Sequence, residues 1–286
     1  DSDRGVRHAA IAALGSSDGA GQLDTLLRHT DPSVERDAGV RKQAWDVVMG
    51  VLENSRADVL RRVADDLAKR GDAVDQRIRV LELLVEALRK DGGKDLPAAL
   101  RQLGLALAGE SRPAEAAGQL GESYQLYASA GGSDAAEVWV EWVDALLASD
   151  DPAVVKAIAG QKDKTLFDAA LKRFDSRLVE LKSSGETAAL LSLASEGVKK
   201  LSERLAAERI NALRALVEEA RKRRLEDDRK EVSALAAQLT GGEEASRKAR
   251  EALVALGPRA VSPLLEELKR ALTKAPADAD LERAIV

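Results

Sequence analysis

Apolar residues recur at intervals of three and four along almost the whole chain, the spacing that gives a helix one buried stripe. The pattern predicts a first helix over about residues 4–14, with Val6, Ala10, Ala13 and Leu14 on one face. A second, over about 21–29, offers Leu23, Leu26 and Leu27. Asp31-Pro32 reads as the start of a long helix that reaches about residue 52, with Asp as its cap and Pro in its first turn. Further helices are expected over about 57–69, 74–89, 96–108, 113–130 and 135–148, and Asp150-Asp151-Pro152 opens the next. Breaks rich in Gly, Pro and Asp thus fall every 20 to 40 residues, and each helix has the length of one arm of a helical hairpin.

The texture changes over about 164–239, where the breakers are few: Gly185 and Gly197, and no Pro. Long helices packed as an antiparallel bundle or short coiled coil are expected there, with Leu190, Leu193, Leu201, Leu205, Leu213 and Leu216 in the core. Gly241-Gly242 ends that stretch, and Ala260, Val261, Leu264, Leu265 and Leu268 form the stripe of a later helix. The pattern divides the chain into 1–72, 73–162, 163–240 and 241–286, all of it α-helical.

One short phrase occurs near both ends. Ala10-Ile11-Ala12-Ala13-Leu14-Gly15 returns as Ala252-Leu253-Val254-Ala255-Leu256-Gly257, and Val6-Arg7-His8-Ala9-Ala10 returns as Val40-Arg41-Lys42-Gln43-Ala44. Self-similarity at a fixed period marks stacked helix pairs. Residues 4–52 and 243–286 resemble HEAT repeats, in particular the short bacterial kind related to phycobilin-lyase HEAT-like repeats. The resemblance is carried by Val6, Arg7, Ala10, Ala13, Leu14 and Gly15, by Asp31, Pro32, Val40, Arg41, Ala44 and Val47, and by Ala252, Ala255, Leu256, Gly257, Pro258, Ala260, Val261, Leu264 and Leu265. Ala10 to Ala44 spans 34 residues and Ala252 to Ala284 spans 32. The middle departs from the pattern and could be tetratricopeptide-like hairpins. The resemblance implies a right-handed α-solenoid of antiparallel helix pairs, with a longer-helix bundle possible in the middle. The chain starts almost inside a helix pattern and stops at Leu281-Glu282-Arg283-Ala284-Ile285-Val286, which reads as the first part of another repeat, so a piece of a longer protein is expected.

Composition fits thin helices with wide solvated faces. Apolar residues make up 45% of the 286 and charged residues 33%, but aromatics only 2%. A net charge of −5 argues against nucleic acid as the partner, since phosphate neutralisation needs a basic excess. The chain has no cysteine, so disulfides and thiolate chemistry are out. No apolar stretch approaches the roughly 20 residues needed to cross a bilayer. A soluble protein is expected, with the cytoplasm favoured.

Little in the sequence points to catalysis. His8 and His29 are the only histidines, and both read as solvated surface groups. Adjacent carboxylates such as Asp150-Asp151 are better explained as helix caps than as an acid–base pair. Gly92-Gly93, Gly131-Gly132 and Gly241-Gly242 are hairpin junctions rather than phosphate loops. No catalytic, metal or cofactor-binding residue is assigned, and no cofactor is expected. Arg221, Lys222, Arg223 and Arg224 form the strongest run of charge. They read either as a weak basic patch or as the solvated C-terminal turn of a long helix, where cations complement the dipole. Tyr124, Tyr127, Trp139 and Trp142 form the one aromatic cluster, each pair spaced i, i+3 on a helix face. It is either the filled core of one hairpin or a partner-binding groove.

The expected function is therefore a non-enzymatic scaffold that holds protein partners along its surface. A HEAT-like lyase or other ligand-binding enzyme using the aromatic cluster at 124–142 is the enzymatic alternative that the resemblance implies, and a purely structural spacer is the third.

Overall fold

The computed structural model describes residues 3–16 and 21–273. Among these, every element is an α-helix, and there are fourteen. The chain divides into two compact units, Asp1–Ser149 and Asp150–Val286. The repeat-like ending at 281–286, with Ala284, lies outside the described residues.

The first unit holds α1 (Arg4–Ser16), α2 (Leu23–Arg28), α3 (Ala38–Leu52), α4 (Ala57–Ala68), α5 (Val74–Asp91), α6 (Leu96–Gly109), α7 (Pro113–Ser129) and α8 (Ala135–Ala148). From α4 onward each helix packs on the next, and α3 packs on both α1 and α2. The buried stripes follow the three-four spacing: Leu60, Val63, Ala64 and Leu67 on α4, Ile78, Leu81, Leu84, Val85 and Leu88 on α5. Charged side chains bridge helices of alternate number. Arg62 on α4 reaches Asp24 on α2 at 3.2 Å, Arg61 on α4 reaches Asp95 at the start of α6 at 2.9 Å, and Arg89 on α5 pairs with Glu122 on α7.

The second unit holds α9 (Ala153–Gly160), α10 (Lys164–Ser184), α11 (Thr187–Leu201), α12 (Ala207–Gln238), α13 (Glu243–Leu256) and α14 (Pro258–Thr273). Here α11 packs on α9, α10 and α12, and α12 packs on α13 and α14. Alternate helices are bridged again: Asp175 on α10 by Arg209 on α12, Asp228 on α12 by Arg259 on α14, and Arg229 on α12 by Glu266 on α14 at 2.9 Å. Asp228 is buried, so its guanidinium partner is what makes the site tolerable. Just after α11, Arg204 donates to the carbonyls of Ala159 and Gln161 at 2.7 and 2.6 Å and lies over the Phe167 ring. It thereby closes the C-terminal end of α9, whose last carbonyls lack helical donors.

Several sequence expectations are corrected. In α1 the buried residue is Ile11, while Val6, Ala10 and Ala13 are exposed. The face that meets α3 is the one carrying Arg7, His8 and Ile11, and alanine's single methyl gains little from burial. Gly15 does not end α1 but lies within it, where Val47 approaches to 2.5 Å of the place a Cβ would take. The long helix does not start at Asp31-Pro32. It starts at Ala38, capped by Asp37, whose Oδ1 accepts from the Gly39 and Val40 amides at 2.8 and 3.1 Å. The segment before it is held out of the helix by side chains. Arg7 Nε and Nη2 donate to buried Glu35 at 2.8 and 3.2 Å, and Arg41 donates to the carbonyls of Glu35 and Arg36.

The histidines are not freely solvated. His8 is half-buried and hydrogen-bonded to Gln43, and His29 is half-buried with Nδ1 shielded and unpartnered. Leu205, which precedes α12, and Leu216 are only half-buried, and the buried stripe of α12 runs through Ile210, Leu213 and Val217. On α14 the inward residues are Ala260, Pro263 and Ala271, which leaves Val261 and Leu265 exposed.

Candidate functional site

The aromatic cluster sits on α7 and α8 of the first unit, and the four residues do not share one environment. Trp139 is buried at 2% exposure and belongs to the core with Val138, Val143 and Leu146. Tyr124 and Trp142 are half-buried and stack across the two helices, ring centroids 5.6 Å apart and planes 21° from parallel. Offset stacking of this kind suits the ring quadrupoles. The stack is possible because α7 carries glycine at 121. A Cβ there would stand 2.9 Å from the Trp142 indole nitrogen. Tyr127 is half-buried and lies against the turn at Gly132.

Polar groups that the sequence did not single out tie the helices of the cluster to α6. Arg101 on α6 reaches α8, where Nε and Nη2 hold Glu141 in a bidentate grip at 2.8 and 2.6 Å, and Nη2 also meets Glu137 at 2.7 Å. Glu141, and then Glu137, hold the guanidinium further into its protonated range. Burial raises the Tyr127 phenol above its usual value, with Asp134 adding to the effect, so it stays a protonated donor at neutral pH. Ser123, wholly buried, donates to the Pro97 carbonyl at 2.7 Å and fixes α7 against the start of α6. The Arg101 pairs join residues 36 and 40 positions apart. A sequence signal existed in principle, opposite charges one hairpin pair apart, but in a chain one-third charged such coincidences abound.

The cluster thus offers a half-exposed ring stack, and α8 also carries two carboxylates tied to a guanidinium on α6. Those are groups for contact and orientation, with large rigid surface at low entropic cost. Among the described residues, no group of three or more His, Cys, Asp or Glu is placed to hold a metal. No described helix is long and apolar enough to cross a membrane.

The basic run lies in the middle of α12, not in its last turn, so the helix dipole does not account for it. Arg221 pairs with Glu218 at 2.8 Å, and Arg223 with Glu219 at 2.7 Å. Arg223 also donates to the Lys182 carbonyl on α10, which makes it part of a bridge between helices. Lys222 is exposed and Arg224 half-buried. The two candidate sites belong to different units.

No family model matches the chain, and neither a curated protein nor a solved structure is found to match it.

Proposed function

We propose that each unit is a HEAT-like α-solenoid of antiparallel helix pairs, and that the protein is a non-enzymatic scaffold for protein partners. The observation that carries this reading is the reach of the bridges between helices. The cross-helix side-chain bonds described above join positions 26 to 45 apart, most of them between helices of alternate number. Apart from the Ser123–Pro97 bond between α7 and α6, these helix-to-helix bonds tie odd-numbered helices to odd ones and even to even ones. That is how two layers of a stack are cross-braced when each hairpin meets only its neighbours.

Such a stack spreads its residues over a long surface rather than around a pocket, and partners then bind through many modest contacts. The exposed half of the Tyr124–Trp142 stack is an anchor for one of them. The largest displacement of titration described above, that of Arg101, belongs to an ion pair that braces α6 to α8.

Cross-linking of carboxylates to lysines in the whole protein, read by mass spectrometry, tests the architecture. Within each unit the links should fall between hairpins adjacent in sequence, and abundant links between α1 and α8 would overturn it. Retention of proteins from a cell lysate tests the role, with Tyr124→Ala/Trp142→Ala as the comparison. A partner retained by the wild type and lost by a variant with unchanged circular dichroism is the expected result. Catalytic turnover of a small molecule by the chain would overturn it.

A further inference from the structure

In the second unit α10 and α12 both pack on α11, and a groove of about 250 Å³ runs between them. That is less than the roughly 300–1,000 Å³ of small-molecule pockets, and suits one or two side chains. Leu178 and Leu213 are its buried floor. Val179, at its lip, is 64% exposed, an aliphatic group left in water beside a ready-made apolar floor.

The two ends of the groove differ in charge. Asp175 and Arg209 make a balanced pair at one end. At the other, Glu219 is one carboxylate between two cations: Lys182 Nζ meets Oε2 at 2.7 Å and Arg223 Nη2 meets Oε1 at 2.7 Å. Neighbouring Arg221 is offset by Glu218, so the triad keeps one positive charge in excess. All three of its members are more than a third exposed and within reach of a visiting group. Because the whole chain carries −5, an acidic visitor is repelled except where such a local excess draws it in.

We propose that this groove receives an acidic amphipathic helix of a protein partner. One aliphatic side chain of that helix packs against Leu178, Val179 and Leu213, and a carboxylate about a turn further on meets the exposed side of the Lys182 ammonium, beside Glu219 rather than in its place. The inference rests on the scaffold reading and names the chemistry of its partner.

The probe is a labelled helical peptide with two leucines one turn apart followed by glutamate, titrated with the whole protein by fluorescence anisotropy. Its counterparts carry lysine for the glutamate or alanine for the leucines. The acidic peptide should bind about tenfold more tightly than either, and the gap to the lysine form should shrink with added salt. Lys182→Glu should reverse the order of the glutamate and lysine peptides. Val179→Glu, at an exposed position, should lose the acidic peptide with unchanged circular dichroism, and Val179→Ser is the second variant should the first disturb folding. Equal binding of the acidic and basic peptides, or full binding to both Val179 variants, would overturn the groove. A lysate partner lost with Tyr124→Ala/Trp142→Ala but held by Val179→Glu leaves the scaffold reading standing even where the peptides overturn the groove. Loss of lysate partners from the wild type as well would remove both.

Discussion

Trp142 fills the space that a side chain at position 121 would need, its indole nitrogen 2.9 Å from where a Cβ on Gly121 would stand. Three residues earlier on the same helix, Gly118 has nothing within 4 Å of the corresponding point. The two glycines therefore respond oppositely to one methyl group. Gly118→Ala should raise stability by about 0.5–1 kcal/mol, the ordinary helical preference for alanine over glycine. Gly121→Ala should lower it by about 1–2 kcal/mol, since overpacking costs about 1–3 and the helical gain offsets part of it. Urea melts check both, and only the second change should alter the near-ultraviolet circular dichroism of the tryptophans.

The tryptophans three residues apart on α8 should also separate. Trp139→Ala opens a cavity in the core and should cost about 3–5 kcal/mol. Trp142→Ala removes half-buried area and one ring stack, and should cost about 1–2 kcal/mol. Equal losses in chemical denaturation would contradict the assignment of Trp139 to the core and Trp142 to the surface.

Glu35 makes the first unit sensitive to acid. The Asp37 amide and then Arg7 hold its carboxyl below the usual value of 4.5. Asp31 and Asp37 are likewise lowered, the first by its hydrogen bond from Ser33 and the second by the Val40 amide. A carboxyl lowered on folding stabilises the folded state above its ordinary pKa, and that contribution is lost as pH falls through the folded value. Glu35→Gln should therefore cost about 1–3 kcal/mol at pH 7, the range for a buried group whose charged partner is removed. The gap between wild type and variant should narrow below about pH 4.5. A constant gap from pH 7 to pH 3 would show that the charge of Glu35 is not what matters.

The division at residue 150 predicts two unfolding events. The same Glu35→Gln change should shift the transition of the first unit and leave the second where it is. Hydrogen exchange followed by mass spectrometry can assign each event to 1–149 or 150–286, and a single concerted loss of protection would refute the division.

Helices α4 to α8 were legible because glycine, proline and aspartate interrupt the pattern at each hairpin. The face of α1 was not, because its stripe of alanines carries almost no information about burial, and one isoleucine decides the matter. The start of α3 was misplaced for a different reason. Asp31-Pro32 and Asp37 are both acceptable caps locally, and the choice between them rests on Arg7 and Arg41, which grip the intervening loop from other positions. The length of α12 was hidden by a basic run that looks like a helix end. Arg101, Glu137 and Glu141 escaped notice altogether, since pairing among so many charges is a property of the folded arrangement. The ring cluster was visible by spacing alone, but its split into core and surface depended on where glycine lets an indole lie.

The bridges between alternate helices have a consequence for how such a chain can change length. A bridge such as Arg61 to Asp95 crosses one joint and no other. Splicing an extra hairpin into that joint would sever it and leave bridges elsewhere in the unit as they were. Deletion of a hairpin would do comparably local damage. In the stack proposed above, the number of helices is thus a quantity the bracing leaves free, and duplication can adjust it without rebuilding the rest of the unit.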